Sequence, residues 1–137
     1  MRIDIRVIPH AEQRYVTLGD YWDDADGVKQ IRVSDLGDDK MNLLVAVHEL
    51  IETYLCDAAG IAEPIVKAFD EAHPDELDPG SHPDAPYREQ HLAAEWIERI
   101  LANQLRVDWQ TYEHQCDEVS LCSSPVTSRF RRGGTAP

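Results

Sequence analysis

The 137 residues carry 26 acidic against 13 basic side chains, a formal charge of -13. A chain of this length makes one domain with a modest core, and its negative field excludes nucleic acid and anionic lipid as general partners. The opening "MRIDIRVIPH" has no long apolar stretch, so neither a signal peptide nor a membrane span is expected, and the odd cysteine count (Cys56, Cys116, Cys122) suits a reduced, cytoplasmic protein.

The first third reads as strand. In "RIDIRVI" the residues Ile3, Ile5 and Val7 alternate with Arg2, Asp4 and Arg6, the pattern of a sheet with one wet face. A second strand is expected in "RYVTLGDYW" and a third in "VKQIRVS", entered through the turn "DADG", where Asp26-Gly27 signals a hairpin. Asp23, Asp24 and Asp26 do not match a calcium loop, because Trp22 stands where its first ligand would be, and they read as a solvated turn. Asp38 or Asp39 caps a helix running to about Ala59 and stopped by Gly60. Pro64 suits the first turn of a shorter helix, "PIVKAFDEAH". The stretch "PDELDPGSHPDAP", four prolines in thirteen residues, is loop. A long helix is expected from about Tyr87 to Leu105, and a last short one in "DWQTYEHQCDEV" with Asp108 as its cap. Strands first and helices after predict an α+β domain over residues 1–119: N-terminal antiparallel strands followed by three to four helices. Residues 120–137, with Arg129, Arg131 and Arg132, read as a flexible basic tail.

The chemistry lies in "VAVHELIETYL". On a helical wheel Met41, Leu44, Val45, Ile51 and Leu55 form one apolar stripe, with His48 and Glu52 in its middle and Glu49 at its border. Burying an ionised carboxylate without a partner costs several kcal/mol, so something must compensate Glu52. A metal ion does so: imidazole and carboxylate both bind zinc, and the one-turn spacing lets both reach one ion. Glu49, beside the first ligand, is then placed to act as base toward a metal-activated water. The competing reading is a hydrogen-bonded pair within the core.

The strand "KQIRVS" followed by the helix "LLVAVHELIETYL" resembles the core of small zincin-type metallopeptidases, in which an edge strand precedes the helix bearing a His-Glu-x-x-His motif. The chain as a whole also resembles small phage- or prophage-encoded proteins sharing the His-Glu-Leu-Ile-Glu helix, which implies a bacterial or phage-infected host cell. The resemblance implies His48 and Glu52 as ligands and Glu49 as base. It departs from the zincin pattern in having Glu52 for the second histidine, and Leu55 and Ala58 where a metzincin continuation would place glycine and histidine.

A third ligand is needed. "YREQHLAAEWIERIL" offers His91, with Glu95 one turn on. Its wheel turns Leu92, Ala93, Trp96, Ile97, Ile100 and Leu101 to the core and His91, Glu95 and Glu98 to solvent, so His91 closes the site only if the first helix approaches along that edge. Asp70 is a weaker candidate, as are His73 and His82 beside the proline-rich loop, whereas His10 and His114 have no companion pattern. Trp96, Trp109 and Tyr112 read as core. The function that follows is metal binding, with zinc or another divalent cation, and hydrolysis of a peptide or protein substrate. Two alternatives stay open. One is a magnesium-dependent nucleotide pyrophosphohydrolase using Glu49/Glu52 and Glu95/Glu98. The other is a non-catalytic phage or bacterial scaffold or interaction protein that retains a metal-type helix.

Overall fold

A computed structural model describes residues 1–122, so all but the first three residues of the expected basic tail lie outside the described residues. The order is β1 (Ile3–Ile8), β2 (Gly19–Asp23), β3 (Lys29–Ser34), α1 (Asp39–Ala59), α2 (Glu63–Ala72), α3 (Arg88–Gln104) and α4 (Trp109–Cys122). This is an α+β arrangement, a three-stranded sheet followed by four helices. α4 continues through residues 120–122, into the segment expected as tail. No helix among the described residues is long and apolar enough to cross a membrane.

The sheet corrects one expectation. Its strand order is β1-β3-β2, and while β2 and β3 form the antiparallel hairpin, β1 pairs parallel to β3, Ile5 opposite Ile31 and Val7 opposite Val33. The sheet is mixed because the chain leaving β1 crosses the end of β3 before entering β2. Gln13 pins that crossing by donating its Nε2 hydrogens toward Leu18 O, Arg32 O and Ser34 Oγ. Consequently Arg14–Leu18, expected as strand, is connecting chain, and β2 begins only at Gly19. β3, the strand before the motif helix, is central rather than the edge strand that the zincin likeness implied.

β3 is central because it is the most apolar on the covered face: Ile31 and Val33 are fully buried under α1, together with Leu44. α1 lies over β3 and β2 and leaves β1 at the rim. Hence Ile5 and Val7 stay 45% and 48% exposed despite their alternation. The turn between β2 and β3 is self-contained: Asp24 accepts hydrogen bonds from the backbone N–H groups of Asp26 and Val28, and Gly27 takes the left-handed conformation that closes it. α1 begins where Asp38 accepts from the Met41 N–H and ends at Gly60, also left-handed. Asp108 caps α4 in the same way through Thr111.

α3 is the larger surprise. Its buried residues are Ala94, Glu98 and Ala102, while Trp96, Ile97 and Ile100 are 69%, 41% and 64% exposed. The helix therefore packs with Ala94, Glu98 and Ala102 inward; Leu101 keeps its expected contact with the core, whereas Trp96, Ile97 and Ile100, expected there too, are surface. Two alanines let α3 come close to α1, and the charges between them have specific partners.

Candidate metal centre

His48 and Glu52 sit one turn apart on α1, where the helix leaves the sheet and meets α3, and both are buried. His91 arrives from the first turn of α3. His48 Nε2 is 3.1 Å from Glu52 Oε2 and 3.1 Å from His91 Nδ1, and His91 Nδ1 is 2.8 Å from Glu52 Oε2. Metal bonds of about 2.0–2.1 Å at octahedral to tetrahedral angles require ligand separations of about 2.9–3.4 Å. Among the described residues this is the one trio of His, Cys, Asp or Glu side chains gathered closely enough to hold an ion.

Each of the three is held from behind. His48 Nδ1 lies 2.8 Å from Glu98 Oε2, and the other oxygen of Glu98 accepts from the Tyr112 hydroxyl. His91 Nε2 lies 3.0 Å from Asp78 Oδ1, and Asp78 in turn accepts from Ser81. Tyr21 of β2 donates to Glu52 Oε1 at 3.3 Å. A carboxylate acceptor requires a proton on the nitrogen facing it, so Glu98 and Asp78 leave the lone pairs of neutral His48 and His91 on Nε2 and Nδ1. Those are the two nitrogens that face Glu52. With protons alone, two imidazolium N–H groups would point at one oxygen from 3.1 Å apart and repel. A cation on the shared side removes that conflict, so the donor set fits a metal.

The electrostatics follow from burial and pairing. Burial alone would lower the pKa of His91, but hydrogen bonds to Asp78 and Glu52 carry it up to about 9. His48 is likewise raised against its burial by Glu52 and Glu98. Burial opposes ionisation of Glu52, yet the two histidines pull its pKa down to about 2. Glu49 has no such partners, and burial with the neighbouring Glu52 charge pushes it up to about 8.

Glu49 lies beside the trio, and among the described residues its carboxylate makes no hydrogen bond. It rests against Gly19 of β2, where any Cβ would come within 3.0 Å of the carboxylate. Gly80 in the proline-rich loop does the same for the His91 ring. At both positions glycine allows the close approach, and a larger residue would displace the Glu49 carboxylate or the His91 ring. The loop is thus built around His91, with Asp78 on its far nitrogen and Gly80 under its ring.

These groups open into one cavity of about 900 Å³, walled by β2 and the chain before it, α1, α2, the proline-rich loop, α3 and α4. Asp70 lines it outside the trio, accepting from Tyr15 at 3.0 Å and from Tyr87, and burial raises its pKa to about 6 despite those bonds. Glu95 also lines the cavity but pairs with Arg99 at 2.7 Å. His73 also lines the cavity but is engaged by Phe69, bonding its carbonyl and stacking on its ring. His82 accepts from the Asp84 N–H, His10 bonds Ser34, and His114 pairs with Glu118.

Sequence reasoning missed the supporting groups Glu98, Asp78, Tyr21 and Tyr112. One signal was available for Glu98, which lies seven residues after His91 and so on the same helix face. Asp78 and Tyr112 carried none, since only the tertiary fold brings them in.

No family model matches the chain, and no match is found among curated proteins or among solved structures.

Proposed function

We propose that this protein is a metal-binding hydrolase, with His48, Glu52 and His91 as the ligands of a zinc ion and Glu49 as general base toward a peptide or another polar carbonyl. The observation that carries the reading is the matched outer shell: each of the three inner groups has its far atom held by Glu98, Asp78 or Tyr21. Two imidazoles and one carboxylate are a donor composition used by catalytic zinc. The glutamate standing where a zincin has its second histidine is offset by His91 from α3, so the composition is kept although the order along the chain differs.

A zinc ion at this position would polarise a carbonyl oxygen and lower the pKa of water. The chain's own part is proton transfer and positioning. Among the described residues Glu49 makes no competing hydrogen bond, and Gly19, lacking a Cβ, leaves room for its carboxylate. It accepts a proton from the attacking water as the water oxygen bonds to the carbonyl carbon. It then returns that proton to the leaving nitrogen as the C–N bond breaks. Tyr21, Glu98 and Asp78 keep the inner groups in register without touching substrate.

The magnesium alternative has less support. Of the carboxylates it needs, Glu95 is committed to Arg99, and Glu98 to His48 and Tyr112. The non-catalytic alternative differs in what Glu49 is for. Protein purified without chelator should carry stoichiometric zinc that His48→Ala loses, whereas Glu49→Gln should keep the zinc and lose peptide hydrolysis. Metal-free protein of undiminished stability would remove the proposal, and full activity of Glu49→Gln would remove its catalytic half.

A further inference from the structure

The cavity over the trio is charged in one sense. Among the described residues twelve carboxylates line it, against one arginine and one lysine, Arg14 and Lys67, beside the histidines His48, His73 and His91. Both cations are already engaged: Arg14 pairs with Asp20 at 2.6 Å and Glu63 at 2.7 Å, and Lys67 pairs with Glu71 at 2.7 Å while lying over the Tyr15 ring. No cation among the described lining residues is left to receive an anionic substrate.

The carboxylates divide into two groups. Those around the trio, Glu49 apart, are internally satisfied: Glu52, Glu98 and the half-exposed Asp78 by the histidines, and Asp70 by two tyrosines. Those toward the opening are not. Glu76 of the proline-rich loop and Asp117 of α4 line the cavity with no ion pair or hydrogen bond from their side chains among the described residues, and Glu113 reaches Arg99 only at 3.8 Å. All three are exposed. Even with a dication on the trio, the described lining carries an excess of carboxylates. A low-dielectric cleft of one sign focuses its field and concentrates ligands of the opposite sign.

Resting on the hydrolase reading, we infer that the substrate is cationic: a peptide segment carrying lysine or arginine, whose positive side chain is received by Glu76, Glu113 and Asp117 while its backbone carbonyl reaches the trio. The two halves of this arrangement are separate. The trio and Glu49 supply the chemistry, and the acidic opening selects by charge.

The test uses the full chain loaded with zinc. The probes are three fluorescein-labelled pentapeptide hydroxamates that differ only in a central lysine, glutamine or glutamate. Affinities are measured by anisotropy at low and high salt, and zinc content is assayed in the same samples. The lysine probe should bind about tenfold or more tighter than the glutamate probe at low ionic strength, with the gap closing in about 0.5 M salt as screening sets in. The triple variant E76Q/E113Q/D117N should lose the lysine preference and retain its zinc, because none of the three touches the trio. Zinc-loaded protein that binds the three probes alike, or binds none, overturns the charge assignment and leaves the metal centre standing. Protein that takes up no zinc overturns both.

Discussion

α1 is packed in two different ways along its length. Toward the middle of β3 it presents Leu44 to Ile31 and Val33, a patch of fully buried hydrocarbon. Toward α3 it presents His48 and Glu52 to His91 and Glu98, ionisable groups paired within a seam that Ala94 and Ala102 keep narrow. The first kind of contact is non-directional and tolerates any side chain of similar size. The second is stable only while every member has its partner, because an unpaired charge there meets the full desolvation penalty. The difference teaches why a helix can keep an imidazole and a carboxylate inside: the neighbouring helix supplies charge complementarity at that point rather than hydrocarbon.

The sharpest way to break the ionic contact is Glu98→Ala, which leaves His48 Nδ1 and the Tyr112 hydroxyl without an acceptor. Urea titration of the metal-free protein should show a loss of about 3–5 kcal/mol, and zinc affinity should fall because the His48 ring is no longer oriented. On the hydrocarbon side, Leu44→Ala should cost about 2–5 kcal/mol through the cavity it leaves. Here the loss should be the same with and without zinc. Equal zinc sensitivity of the two variants would erase the distinction.

Acidity separates the two contacts as well. The folded pKa of His91 stands near 9 against an ordinary 6.5, so the protonated ring stabilises the metal-free fold fully below pH 6.5. That contribution, on the order of 3 kcal/mol, is lost as pH rises through 9. Zinc requires the unprotonated ring, so binding gains over the same window. Thermal melts from pH 6 to 9.5 should therefore diverge, with Tm falling for metal-free protein and holding or rising for zinc-loaded protein. Parallel curves would contradict the shared use of His91.

Smaller effects test the orientation of α3. Ala94→Leu forces bulk into the seam with α1 and should cost about 1–3 kcal/mol. Trp96→Gln, on the outward face, should change stability by no more than about 0.5 kcal/mol. If the helix were turned as its hydrophobic pattern suggests, these two results would be exchanged.

Local spacing was legible from the residues alone. Asp38 and Gly60 bound α1 because capping and left-handed backbone are properties of one or two residues, and the spacing of His48 and Glu52 puts them on one face of any helix. The same reasoning singled out His91 as a third donor, conditional on an approach between helices that the wheel itself argued against. What only the tertiary structure decided was which faces meet: that α3 turns His91 and Glu98 inward, that β1 runs parallel to β3, and that Asp78 closes on His91 from a loop. Periodicity defines the faces of a helix but assigns none of them to a neighbour. Where paired charges outweigh the burial of Trp96 and Ile100, the choice depends on partners far apart in the chain.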